Sequence, residues 1–140
     1  MKIDAETKKK LIEAAAAARL AARAFTGFHV GAALLTTTGE IITGCNVEIK
    51  STLSSICAER TALVKAVSMG YQDFAAIAVV SDSLSPVAPC GFCRQYLVDF
   101  NPNMPVIMAN PDGSEVVEMT AMELTPMAFL GGKKEAPPAL

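Results

Sequence analysis

The sequence predicts an α/β fold in which helices flank a β-sheet. Segments with the apolar spacing of helices alternate with short runs of β-branched and apolar residues that are typical of strands. With 140 residues, the chain is long enough to bury a core without disulfide bonds. We expect a single domain over residues 1–132, followed by a loose tail over residues 133–140.

The N-terminal half is predicted to contain a helix, a β-hairpin and a loop. Residues 4–24 are rich in alanine, the best helix former, and place apolar side chains along one face. Residues 28–36 and 41–47 have the composition of two strands joined by the turn Thr37-Thr38-Gly39. Residues 49–55 are polar and are predicted to form a loop.

The C-terminal half is predicted to contain further helices and strands. One helix starts near Ser55 or Ile56, with Ser54 or Ser55 as its cap. It ends at about Met69, because Gly70 follows. The remaining predicted elements are a strand over 74–81, a helix over 90–99, strands over 105–109 and 115–118, and a short helix over 121–124.

Composition and charge limit the possible partners. The chain is 51% hydrophobic and 19% charged, and such an apolar surplus often ends in a subunit interface, so we expect an oligomer. A net charge of −2 argues against a nucleic-acid partner. Because Glu13, Arg19 and Arg23 interrupt the apolar residues near the N-terminus, we expect no signal peptide and no membrane partner. A cytoplasmic location follows from this prediction.

Three of the four cysteines form a pattern that predicts a metal centre. Cys90 and Cys93 are spaced within one helical turn, and Cys57 lies near the start of the preceding helix. Without a secretion signal the cysteines are expected to stay reduced, and helix starts favour the thiolate form that binds metal. The sequence therefore predicts a Zn²⁺ site with Cys57, Cys90 and Cys93 as ligands, leaving a fourth position for water.

Two charged residues beside Cys57 are candidates for supporting roles. Three thiolates on Zn²⁺ leave a net charge of −1, so the zinc-associated water needs a base. Glu59 is the nearest carboxylate in sequence, although a first-turn glutamate commonly serves only the helix dipole. Arg60 lies three residues after Cys57, on the same helical face, and is placed to donate hydrogen bonds to the sulfurs.

The motif Cys57-Ala58-Glu59-Arg60, followed by Pro89-Cys90-Gly91-x-Cys93-Arg94-Gln95, resembles the cytidine deaminase family in its small form with three zinc-binding cysteines. The resemblance extends through Phe28-x-Val30-Gly31-Ala32-Ala33, Gly44-Cys45-Asn46-Val47-Glu48 and Pro126-x-Ala128-Phe129. It implies a three-layer α/β/α sandwich with a mixed sheet of five strands. It also implies a homotetramer that acts in pyrimidine salvage.

Carried over by position, the resemblance implies a reaction and a set of substrate-binding residues. Water attacks C4 of the cytosine ring of a nucleoside, while Glu59 first protonates N3 and then helps ammonia to leave. The product is the uracil nucleoside. The implied substrate-binding residues are Phe28, which packs against the ring, Asn46 and Glu48, which hold the ribose, Ala58, and Phe129, which reaches into a neighbouring subunit's pocket.

Asn46 and Glu48 also suit a sugar site by their spacing. They are two residues apart on a predicted strand, so both side chains point to one face and can meet hydroxyl groups. The alternative is the solvated face of an edge strand. Phe28 has a similar alternative as a core residue at the start of a strand.

Several departures from the family pattern leave the substrate open. Residues 49–52, Ala88 and the bulky Phe92 differ from the residues that the family usually carries. A modified cytosine nucleoside is therefore an open possibility. Blasticidin deaminases share the zinc motifs, although Arg60 directly after Glu59 resembles the nucleoside branch more closely.

Two further alternatives predict different surroundings for the site. A deoxycytidylate deaminase needs a phosphate site, and no obvious Arg or Lys cluster supplies one. A structural zinc module would use Cys45 as a fourth ligand, whereas its apolar neighbours predict a small buried residue. His29, the single histidine, lies on a predicted strand away from the cysteine motifs and is not expected to bind metal.

Overall fold

Within the residues that the structure describes, five strands form one sheet and three α-helices cover it. The structure is a computed structural model that describes residues 2–131, so the predicted tail over residues 133–140 lies outside the described residues. In chain order the elements are α1 (Ala5–Ala18), β1 (Val30–Thr36), β2 (Ile41–Cys45), α2 (Ala58–Ser68), β3 (Phe74–Ser81), α3 (Gly91–Phe100), β4 (Pro105–Ala109) and β5 (Val116–Thr120).

The sheet is mixed, with the strand order β2-β1-β3-β4-β5. β3 and β4 are parallel, and the other neighbouring strands are antiparallel. The parallel pair requires a crossover between its strands, and α3 provides it. The predicted mixed sheet of five strands is therefore confirmed.

Alternation of side chains along the strands separates two apolar cores, one on each face. On β1, Ala33 and Leu35 pack with Leu11 and Ala15 of α1. The intervening positions, such as Leu34, belong to the other core, which also contains residues of α2 and α3. Because successive strand side chains point to opposite faces, one sheet serves both cores. This arrangement confirms the three-layer sandwich.

Two glycines let helices lie directly on the sheet backbone. A Cβ atom on Gly31 of β1 would lie 1.9 Å from the carbonyl oxygen of Ala15 in α1. A Cβ atom on Gly44 of β2 would lie 2.5 Å from the backbone nitrogen of Ala62 and 2.6 Å from the carbonyl oxygen of Ala58, both in α2. All three distances are far inside van der Waals contact, so only glycine allows these approaches. Gly44 thereby sets the height of α2 above the sheet.

The first two helices differ from their predicted bounds because backbone pairing replaces helical bonds. α1 ends at Ala18 and continues as a 3₁₀ turn to Ala21, since Arg23 bridges to Val47. α2 starts at Ala58 instead of Ser55 or Ile56, and neither predicted serine caps it. Ile56 instead pairs with Val47.

The predicted short helix over 121–124 is wrong. These residues form hydrogen-bonded turns. Thr120 and Glu123 do form a reciprocal capping box, in which each backbone N–H donates to the other's side chain. Pro126 follows within one turn, however, and a residue before proline avoids the helical conformation.

The described helices are all too short or too polar to cross a bilayer.

Candidate active site

A cleft of about 440 Å³ opens where α2 and α3 begin. This volume lies within the range of ligand sites, which is about 300–1,000 Å³. The start of α2 supplies the end wall, and the segment after β2 supplies the polar rim. Its lining includes Phe28, Val30, Asn46, Glu48, Leu53, Cys57, Ala58, Glu59, Arg60, Val79, Ser81, Val87, Ala88, Cys90 and Phe92.

Three cysteine sulfurs converge at the closed end of this cleft. The Sγ atoms of Cys57 and Cys90 are 3.5 Å apart, and those of Cys90 and Cys93 are 3.6 Å apart. All three sulfurs lie within 4.8 Å of one another. Tetrahedral Zn²⁺ with Zn–S bonds of about 2.3 Å holds its sulfurs about 3.8 Å apart, whereas a disulfide needs about 2.05 Å. The donor set therefore fits Zn²⁺.

Both zinc-binding segments lie at helix starts. Cys57 is the N-cap residue of α2 and Cys90 that of α3, and neither position has a side-chain cap hydrogen bond. A hydrogen bond from the Cys93 thiol, aided by Arg60, lowers the pKa of Cys57 to about 5. The same hydrogen bond and burial raise the pKa of Cys93. Because Zn²⁺ binds thiolates, metal binding displaces thiol protons.

Glu59 is buried beside the cysteines. Its side chain is 3% exposed, and Oε1 has no hydrogen-bond partner among the residues that the structure describes. Burial, followed by the charge of Cys57, raises the pKa of this carboxyl to about 6. A buried carboxylate oxygen without a partner costs folding free energy, which is expected where the group serves a ligand. The oxygen is therefore available to a substrate or water.

Arg60 lies against the sulfurs. Its Nη2 atom donates to Cys57 Sγ at 3.6 Å and to the carbonyl oxygen of Ser55 at 3.4 Å. The ring of Phe92 covers the guanidinium, with 5.4 Å from Cζ to the ring centroid. A cation in this position offsets the negative charge of the thiolates.

Asn46 and Glu48 stand at the rim on the segment that follows β2. Asn46 is 8% exposed and bridges the start of β1: Val30 N–H donates to its Oδ1 at 2.8 Å, and its Nδ2 donates to the carbonyl oxygen of Phe28 at 2.9 Å. The carboxylate of Glu48 accepts hydrogen bonds from Thr26. Asn46 thus lines the pocket and also fixes the backbone of Phe28 and Val30 beside it.

The structure brings two more of the predicted substrate-binding residues to the cleft. Ala58 is buried in its wall, and Phe28 is 41% exposed at its edge. Phe129 does not line this chain's own cleft; it is exposed, and its carbonyl oxygen accepts from Gln95 Nε2 at 2.6 Å. A reach into a neighbouring subunit stays a prediction.

Cys45 and His29 lie outside the metal group that the described residues form. Cys45 is half-buried on β2, opposite Gly31, rather than fully buried as its neighbours predict. The Nδ1 atom of His29 lies 2.7 Å from Oδ2 of Asp82, which also accepts from the His29 N–H. Arg19 holds the other oxygen of Asp82 at 2.6 Å. A fourth protein ligand from Cys45 therefore finds no support.

Sequence reasoning missed part of the pocket wall. Val30, Val79 and Ser81 line the cleft from β1 and β3. The signal was present, because Val30 lies two residues after Phe28 and so shares its face. Which residues of β3 line the cleft could not be predicted from the sequence. All eight residues of this strand are buried, so no polar and apolar alternation distinguishes one face from the other.

A model of the cytidine and deoxycytidylate deaminase zinc-binding region matches residues 5–109. This range includes α1, the cleft and all three converging cysteines. The chain belongs to the cytidine and deoxycytidylate deaminase family. The zinc-binding region of this family agrees with the three converging cysteine sulfurs, and the cofactor is Zn²⁺.

Individual relatives in this family cover most of the chain. It is 44% identical to a cytidine deaminase of Sporosarcina psychrophila over 89% of this chain and 91% of the relative. The crystal structure of cytidine deaminase from Burkholderia pseudomallei superposes with a TM-score of 0.83 at 46% identity, over 86% of this chain and 98% of that one. A blasticidin-S deaminase of Bacillus cereus is 38% identical over 72% of this chain and 76% of the relative. The chain is therefore a deaminase of this family by sequence and by fold.

Proposed function

We propose that this protein catalyses the zinc-dependent hydrolytic deamination of a cytosine nucleoside to the uracil nucleoside, with release of ammonia. One observation carries the proposal: a buried carboxylate oxygen without a partner, that of Glu59, lies beside three converging cysteine sulfurs in a cleft of nucleoside size. A structural zinc site, in contrast, is closed by a fourth protein ligand and needs no adjacent acid or base.

The proton transfers fall to Glu59. Zn²⁺, when held by Cys57, Cys90 and Cys93, acts as a Lewis acid that activates water. Glu59 takes the proton of the attacking water, donates it to N3 of the ring, and then assists the departure of the C4 amino group as ammonia. Burial of the Glu59 carboxyl raises its pKa above the ordinary value, which suits a group that must both accept and donate a proton.

The walls of the cleft favour a neutral nucleoside over a nucleotide. Arg60 is the one lysine or arginine among the lining residues that the structure describes, and its guanidinium already contacts Cys57 and Ser55. A phosphate monoester requires a cationic or N–H-rich site, and the rim instead presents the carboxylate of Glu48. In the proposed complex Phe28 packs against the ring, while Asn46 and Glu48 meet the sugar hydroxyls.

We further propose a cytoplasmic homotetramer that serves pyrimidine salvage. Exposed apolar side chains support the assembly: Val64 and Val67 on α2, Tyr96 on α3, and Phe129 near the end of the described chain. Burial of such a surface between subunits is strongly favourable. In this assembly Phe129 contributes to a neighbouring subunit's cleft.

A substrate panel tests the proposed reaction. The zinc-loaded protein is given cytidine, deoxycytidine, ring-substituted cytosine nucleosides, deoxycytidylate, blasticidin S and aminopurine nucleosides, and ammonia release is measured. We expect turnover of cytidine and deoxycytidine, and at least 100-fold lower kcat/KM for deoxycytidylate, about the factor that an unpaired buried charge costs. Absence of ammonia release from every cytosine nucleoside would refute the proposal.

Blasticidin S is the second candidate substrate. The 38% identity to a blasticidin-S deaminase favours it. A kcat/KM for blasticidin S above that for cytidine would identify blasticidin S as the preferred substrate. The proposed roles of the cysteines and Glu59 would stay the same.

A further inference from the structure

Thr26, in the loop before β1, holds the carboxylate of Glu48. The backbone N–H of Thr26 donates to Oε1 at 2.9 Å, and its hydroxyl donates to Oε2 at 2.9 Å. The hydroxyl also lies 3.2 Å from Oε1. Thr26 therefore contacts both oxygens with two different donors.

Thr26 is itself fixed to the rest of the rim. Its Oγ1 accepts from the N–H of Phe28 at 3.3 Å. Two residues before Phe25, Arg23 pairs along the backbone of the rim: its N–H donates to the carbonyl oxygen of Asn46 at 3.0 Å, and its carbonyl oxygen accepts from the N–H of Glu48 at 2.7 Å. The loop and the segment after β2 therefore form one hydrogen-bonded unit.

This contact fixes the position of the Glu48 carboxylate. The hydrogen bonds from Thr26 also hold the pKa of Glu48 below its ordinary value, so the carboxylate, which is ionised at neutral pH in any case, acts only as an acceptor. A carboxylate oxygen accepts more than one hydrogen bond, so each retains capacity for a hydroxyl donor. A half-buried glutamate without such a contact samples several rotamers, and binding would have to order it.

We propose that Thr26 is a positioning residue that orients the Glu48 carboxylate toward the sugar hydroxyls of the substrate. This inference rests on the proposed nucleoside deamination and adds a determinant of sugar recognition to it. Thr26 acts on binding and not on the proton transfers, because its donors end on Glu48, on the rim, whereas Glu59 lies at the closed end of the cleft.

The same chain offers a matched control. In the hairpin turn between β1 and β2, the hydroxyl of Thr38 donates to the carboxylate of Glu40. Thr38 and Glu40 are both exposed, and neither lines the cleft. Thr38→Ala therefore removes a hydroxyl-to-carboxylate hydrogen bond of the same type at a position remote from the substrate.

The test compares Thr26→Ala, Thr26→Ser and Thr38→Ala with the wild-type zinc enzyme. Each is assayed with cytidine and with 2′,3′-dideoxycytidine, which lacks both ribose ring hydroxyls. For Thr26→Ala we expect KM for cytidine to rise about tenfold, with kcat changing by less than about twofold. Thr26→Ser restores KM because it keeps the hydroxyl, and Thr38→Ala matches the wild type.

Two comparisons separate positioning from general damage to the pocket. With dideoxycytidine, Thr26→Ala should lose less than about twofold in kcat/KM, because no ring hydroxyl meets Glu48. In a Glu48→Ala background, adding Thr26→Ala should leave KM for cytidine unchanged. Thermal unfolding of each variant records any loss of stability independently.

The outcomes distinguish this inference from the proposed function. An unchanged KM for cytidine in Thr26→Ala, or an equal loss with both substrates, would overturn the role of Thr26 while deamination by the wild type stands. A wild-type enzyme that releases no ammonia from cytidine would overturn both. The tenfold rise confined to cytidine, with rescue by serine, establishes the role.

Discussion

The closed end and the rim of the cleft each carry one glutamate, and their environments differ in every respect. Glu59 is buried, has an oxygen without a partner among the described residues, and has its pKa raised to about 6 by burial. Glu48 is half-exposed, accepts from Thr26 through both oxygens, and has its pKa lowered by those hydrogen bonds. One residue type thus provides a proton carrier and a fixed acceptor within one pocket.

The two regions also differ in what holds them. The closed end rests on the starts of α2 and α3, with Gly44 allowing α2 to approach the sheet. The rim is held by backbone and side-chain hydrogen bonds between two loops. Changes at the closed end should therefore affect metal binding and kcat, whereas changes at the rim should affect KM.

The largest expected effect is loss of the metal. Cys90→Ser removes one of three sulfurs and weakens the link between α2 and α3. We expect zinc content near zero, no measurable deamination and a lower melting temperature, because metal binding contributes to folding stability. Zinc by plasma mass spectrometry and thermal unfolding check this. Full zinc retention would exclude Cys90 as a ligand.

The next effect isolates the proton carrier. Glu59→Gln keeps the shape of the side chain, but an amide cannot accept and release a proton as a carboxylate does. We therefore expect kcat to fall by about 10²–10⁴-fold while zinc content is kept. Glu6 is a matched control, since it is also a first-turn glutamate but lies on the exposed surface of α1. Glu6→Gln should keep kcat. Near-normal turnover by Glu59→Gln would assign this residue to the helix dipole alone.

A third change moves the closed end relative to the rim. In Gly44→Ala the new methyl group collides with the backbone of α2, so we expect a loss of about 1–3 kcal/mol in the free energy of unfolding. The shift of α2 should also lower kcat and zinc affinity. Gly31→Ala produces a similar collision with α1 on the other face. It should lose stability but keep zinc affinity, as measured by chelator competition; equal zinc losses would contradict the separation of the two faces.

The smallest effect is expected at the remaining cysteine. Cys45 is half-buried on β2 and lies outside the group of converging sulfurs. Cys45→Ser should keep one zinc per chain and change kcat/KM by less than about twofold. Loss of zinc in this variant would favour a structural zinc site in which Cys45 is the fourth ligand.

The predictability of each part follows from how local its determinants are. β3 and β4 have their predicted bounds because continuous apolar runs lie between clear breaks. The start of α2 was misplaced because Ser54 and Ser55 have the composition of caps, whereas the pairing of Ile56 with Val47 is a long-range contact. Sequence carries the first kind of information directly and the second hardly at all.

The site divides in the same way. The pairing of Cys90 with Cys93 was predictable, because helical spacing fixes it within one turn, whereas the approach of Cys57 across 33 residues was expected only from the family motif. The hydrogen bonds from Thr26 to Glu48 join residues that lie 22 positions apart in two loops. No periodic pattern in the sequence predicts this contact. The predicted helix over 121–124 shows the opposite failure, because the capping box between Thr120 and Glu123 forms while Pro126 prevents the helix that it would begin.

The glycine beneath α2 has a practical consequence for engineering the substrate range. A mutant library that enlarges the cleft by lifting α2 would have to replace Gly44, where any side chain meets the backbone of α2. The short 3₁₀ turn at Leu53 carries no such restriction, since the Leu53 side chain is 99% exposed at the edge of the cleft. Randomisation of this turn therefore samples new substrates at a lower risk to folding than changes at Phe92, which lies between two proposed zinc ligands in the first turn of α3.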